Sequence, residues 1–142
     1  MTTEAKMYVY LAIAFQVLLI IHFALRKWAF DAYIYRWGWL FYLMAVPAAV
    51  VSVVLIRRGA PWWMWLGGLL YLVWAVFGYL VEFRFGVRWR DPIVWPVFAP
   101  YILLYLGTTM FYWWPLANIS KPLWWAAAVL FAFGTVLNVI SH

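Results

Sequence analysis

A chain of 142 residues that is 70% hydrophobic and only 10% charged lacks the polar surface of a water-soluble domain, where roughly 45–50% and about 25% are usual. The absence of cysteine excludes disulfides, thiolate metal sites and a thiol nucleophile. The formal charge of +6 is dispersed over short links, which gives nucleic acid no platform and points to the bilayer as solvent.

A spanning helix needs roughly 20 mostly apolar residues, and the chain offers five such stretches. The first, Met7–Leu25, follows a start that contains Glu4, is as long as a full span and has no small-residue cleavage pattern after it. Those features predict a retained helix, not a signal peptide. Gln16 sits at its middle, where an amide is costly unless it bonds to a neighbouring helix. His22 and Arg26 lie near its end.

The second stretch, Trp37–Ile56, carries Pro47 near its centre, which removes a helix hydrogen bond and frees a carbonyl about a turn earlier. The third, Trp62–Phe83, contains Gly67-Gly68, and Trp74 at mid-depth. The small residues Ala45, Ala48, Ala49 and Ser52 in the second stretch, with that glycine pair, predict a close helix crossing. Ala128, Ala132 and Gly134 predict another in the fifth. Pro47 and Trp74 together predict an irregular, aromatic-lined interior able to hold a flat apolar ligand.

From Glu82 the charged residues take positions 82, 84, 88 and 90, and Phe83, Phe85, Val87 and Trp89 lie between them. A period of two predicts that the chain leaves the third helix here and runs extended in the headgroup plane. Arg84, Arg88 and Arg90 are then candidates for binding anionic headgroups, each gaining about 1 kcal/mol from anionic lipid.

The fourth stretch, Pro96–Pro115, is interrupted by Pro100. If it does not cross, four spans and an interfacial segment remain. The fifth is Leu123–Ile140, with Asn138 and His142 at its end. The hydroxyls of Ser52, Thr108, Thr109 and Thr135 are expected to bond their own helix backbones.

The fold expected is thus an all-α integral membrane bundle of five transmembrane helices in one domain over residues 1–142. Lys and Arg count six on one face (Arg26, Lys27, Arg36, Arg84, Arg88, Arg90) against four on the other (Lys6, Arg57, Arg58, Lys121). That excess predicts an outer N-terminus and a cytoplasmic C-terminus. Twelve of the thirteen tryptophans fall into two interfacial belts, all but Trp74, as five crossings require.

His22, Arg26, Glu82, Arg84, Asn138 and His142 form a candidate polar vestibule at one rim, in which His22 and Glu82 could relay a proton. Two histidines, four carboxylates and no cysteine predict no metal or other cofactor. The leading functional expectation is a bundle binding lipid or a hydrophobic small molecule, or an accessory subunit of a membrane complex. The alternatives are a proton-coupled carrier using His22 and Glu82, and an intramembrane lipid-modifying enzyme. Membrane lipids with anionic headgroups, and a second copy or larger complex, are the expected partners.

Overall fold

In a computed structural model, residues 2–29, 39–85 and 94–140 are described, residues 82 and 83 by backbone only. The first helix, α1 (Thr3–Trp28), starts where the Thr2 hydroxyl accepts the Ala5 amide at 3.1 Å. Glu4 in its first turn and Arg26 and Lys27 in its last complement the helix dipole. Its buried positions, from Ala5 and Tyr8 through Ala12, Phe15, Leu19 and His22 to Arg26, repeat every three or four residues and make one continuous stripe.

The second rod is broken. A short α2 (Trp39–Leu43) and α3 (Ala45–Arg57) meet at Met44, where the Ala48 amide reaches the Met44 carbonyl at a stretched 3.5 Å. Pro47 explains the position: its ring cannot pass the carbonyl four residues back, that of Leu43, and it offers no proton there. The third rod, α4 (Trp62–Tyr79), passes into a π-helical turn over Leu80–Arg84, closed by the Phe85 amide on the Leu80 carbonyl at 2.8 Å.

That turn corrects the extended reading of Glu82 and Arg84. Both are helical, because i to i+5 bonding continues the ladder past the last apolar turn, and alternation of residue types does not override it. Beyond Phe85 the stretch with Arg88 and Arg90 lies outside the described residues, as do Arg36, Trp37 and His142.

The fourth rod, α5 (Trp95–Phe111), tolerates Pro96 in its first turn and Pro100 in its second. It ends at Phe111 because Pro115, four residues on, lacks the proton that the Phe111 carbonyl would accept. A 3₁₀ segment, Trp114–Asn118, follows, and α6 (Lys121–Ile140) closes the fold.

The described residues therefore form an all-α bundle of five rods, four of which are long and apolar enough to cross a membrane: Thr3–Trp28, Trp39–Arg57, Trp62–Tyr79 and Lys121–Ile140. The 17-residue α5 is about 25 Å long at 1.5 Å per residue.

α4 is central, packed on α3 along one side and α5 along the other, while α6 lies at the edge against α1. The expected close crossing of α3 and α4 is present. A Cβ built on Gly68 would come within 1.9 Å of the Ser52 Oγ and 2.7 Å of the Ala48 carbonyl. Only a glycine lets the two backbones approach so far. On α6, Ala127 and Gly134 are buried, whereas Ala132 faces outward.

Two rims result. The Arg58 guanidinium meets the Glu4 carboxylate at 3.3 Å, joining the end of α3 to the start of α1. At the opposite rim Lys27 Nζ donates to the Ile140 carbonyl at 3.0 Å, joining the ends of α1 and α6. Trp62, Trp114 and Trp125 stand exposed at the first rim, and Trp28, Trp39 and Trp95 at the second.

Candidate functional site

Aromatic side chains fill the space between the rods. Trp74 of α4 is 1% exposed, and its ring is met by Phe41 (5.5 Å), Tyr71 (5.9 Å), Tyr101 (5.8 Å) and Tyr105 (5.5 Å), mostly edge to face. Such pairs contribute about 0.5–1.5 kcal/mol each beyond the area they bury. The interior expected around Trp74 is thus aromatic, with four rings packed against the indole.

Open space lies instead on the flank of the bundle. Trp39, Tyr42 and Leu43 of α2, Val46 of α3, and Leu72, Ala75, Val76 and Tyr79 of α4 line a lateral groove of about 240 Å³ that reaches Leu80. It lies beside the break at Met44, where α2 ends and α3 begins. Gly78 makes the Tyr42 wall possible: a Cβ there would sit 2.8 Å from the Tyr42 ring, so the ring can lie flat on α4. Tyr42 is held there by Tyr101, hydroxyl to hydroxyl at 3.4 Å. The walls are apolar, and the polar tips among the lining residues are those of Trp39, Tyr42 and Tyr79.

The structure places four of the expected polar residues, His22, Arg26, Arg84 and Asn138. His22 is buried, stacked on Phe41 at 4.3 Å between ring centres and 22° between planes, so it does not face headgroups. Arg26 is buried one turn on, its guanidinium 5.7 Å from the centre of the Phe23 ring. Asn138 is half-buried on α6 beside the Tyr105 hydroxyl. Arg84 is exposed at the end of the π turn. The side chains of Glu82, Arg88, Arg90 and His142 lie outside the described residues, so a meeting of His22 with Glu82 is not among the contacts described.

Gln16 is completely buried, and neither amide atom has a hydrogen-bond partner among the described residues, contrary to the expected bond to a neighbouring helix. Thr108 and Thr109 donate to the carbonyls of Leu104 and Tyr105, each at 2.7 Å, as expected. Ser52 and Thr135 do not follow them; both hydroxyls are buried without a hydrogen bond.

The residues that sequence reasoning passed over are tyrosines. Tyr101, Tyr105 and Thr108 recur on one face of α5, Tyr112 follows at its C-terminal end, and all four are buried. That spacing was the available signal: a hydroxyl-tipped ring repeating on one face of an apolar helix belongs inside, where the tip can find a partner.

No family model, curated protein or solved structure matches the chain.

Proposed function

We propose that this membrane-spanning bundle binds a single-chain amphiphile, with the chain in the lateral groove between α2, α3 and α4 and an anionic head at the rim where α1 ends. The observation that carries this reading is the groove itself, apolar along its walls but for the tips of Trp39, Tyr42 and Tyr79. At about 240 Å³ it is larger than the roughly 150 Å³ cavity that admits benzene, yet below the roughly 300–1,000 Å³ typical of drug-sized ligands. A slender chain suits it better than a flat polycyclic molecule. Arg84, one turn beyond the groove-lining Leu80, is the nearest described cation in sequence, and Trp39 and Tyr79 supply amphipathic rings at headgroup depth.

Native mass spectrometry of protein extracted with its own lipids tests this. Wild-type protein is expected to retain an anionic amphiphile. Val46→Trp and Val76→Trp, which fill the groove from its exposed walls, are expected to lose most of it, and Arg84→Gln to shift retention toward neutral lipids. Equal retention by wild type and both tryptophan variants would overturn the reading.

A further inference from the structure

The depth of the lateral groove follows from how the second rod and α4 meet. At Gly68 the two touch: the position a Cβ would occupy lies 2.7 Å from the Ala48 carbonyl and against the Ser52 hydroxyl. Further along α4, at Gly78, a whole tyrosine ring fits over the helix, with Tyr42 Cζ and Oη each 2.8 Å from the corresponding position. The rods therefore part from a crossing near mid-depth toward the rim where α1 ends, and the groove is the wedge between them.

Among the described residues the lining of that wedge reaches no deeper than Leu72 on α4, one turn from Gly68, and Val46 on α3, two residues before Ala48. Beyond them the backbones are too close for a hydrocarbon chain to pass. From this apex at Leu72 to Leu80 at the rim, the lined stretch of α4 is about 12 Å at 1.5 Å per residue. A volume of about 240 Å³ over that length has a mean cross-section of about 20 Å². That holds one chain at a contact spacing of about 4.0–4.5 Å, and not two.

Each carbon of an extended chain advances about 1.25 Å, given a bond of about 1.5 Å and an angle of about 111°. On the reading that the groove binds a single-chain amphiphile, we propose that the α3–α4 crossing is a length gauge that selects chains of about ten carbons. A shorter chain leaves the Val46–Leu72 end without contacts. A sixteen-carbon chain, about 20 Å when extended, meets the crossing and must turn out of the groove. The chains of the surrounding bilayer fill about 15 Å, half of the hydrocarbon core, so the gauge also discriminates against the bulk lipid.

Native mass spectrometry of the full chain in detergent micelles, with an equimolar series of saturated fatty acids from six to eighteen carbons, reads the gauge directly. Val76→Trp, which fills the groove from an exposed wall, supplies the background association of each acid. Above that background the wild type is expected to retain the ten-carbon acid best and the sixteen-carbon acid several-fold less. Leu72→Ala is expected to move the optimum longer by about two carbons, the reach of leucine beyond its Cβ, and Leu72→Phe to move it shorter. If one variant does not fold, the other carries the readout. Retention that rises steadily to eighteen carbons, or an optimum that a folded Leu72 variant leaves in place, overturns the gauge while the groove stands as a binding site. Retention no higher than that of Val76→Trp at every length overturns the groove reading itself, and the gauge with it.

Discussion

The carbonyl of Phe111 shows how one residue's chemistry is settled by another far along the chain. Pro115 has no amide proton to give it, and in a bilayer no water can take that place. The Tyr8 hydroxyl donates to it instead, from a helix more than a hundred residues earlier in the chain. Tyr8 is fully buried, against Trp63 and Tyr112. Tyr8→Phe keeps the ring and deletes only the donor, so it should destabilise the protein by about 1–2 kcal/mol, the cost of an unsatisfied buried carbonyl offset by partial relaxation. Tyr10→Phe, on the outward face at 73% exposure, should be neutral. Thermal unfolding in a fixed detergent compares the two. A Tyr8→Phe protein as stable as wild type would mean that the Phe111 carbonyl is satisfied otherwise.

The same logic extends from residues to helices, where the α3–α4 crossing rests on Gly68. Its Cβ-free backbone lies against Ser52 and Ala48, so even a methyl must push the helices apart. Gly68→Ala should cost about 1–3 kcal/mol, the range for overpacking a tight core. Gly107→Ala is the contrast, since the nearest atom there is Leu70 Cδ1 at an ordinary 3.6 Å. The second variant should be neutral or stabilising by about 0.5–1 kcal/mol, because alanine is the better helix former. Denaturant or thermal midpoints measure both, and equal losses would show that Gly68 has no special place.

This crossing was legible in the sequence, since small residues at helical spacing on two neighbouring apolar stretches have few other uses. The broken second rod was legible too, through Pro47. The π turn was not: Glu82 and Arg84 alternate with Phe83 and Phe85 as an extended chain would, and residue type alone cannot register a slip from i+4 to i+5 bonding. Nor was the groove, because it depends on where Tyr42 settles over Gly78, a contact between residues 36 apart in the chain. How His22 and Arg26 turn was not legible either, since it depends on Phe41 and Phe23, the rings they pack against.

For the whole molecule, the two rims carry the strongest consequence. Glu4 is tied to Arg58 at one end of the bundle and Lys27 to Ile140 at the other, so the first and last helices begin and finish at opposite ends. The Glu4–Arg58 pair itself contributes little, about 0–1 kcal/mol, being solvent-facing on both sides. Its value is as a marker of position. α5 is about 25 Å long against a hydrocarbon core of about 30 Å. The 3₁₀ segment that follows it buries Pro115 and Leu116 and adds about 2 Å per residue. If α5 crosses as well, the termini lie in different compartments, and the six-to-four excess of Lys and Arg expected on the far face predicts an outward N-terminus. The cysteine-free chain makes the test clean. A cysteine introduced by Thr3→Cys should react with a membrane-impermeant maleimide in intact cells, whereas one appended after the last residue should react only once the membrane is opened. Labelling of both from one side would remove α5 from the set of crossings, and with it the placement of Arg26 and Arg84 at a cytoplasmic rim.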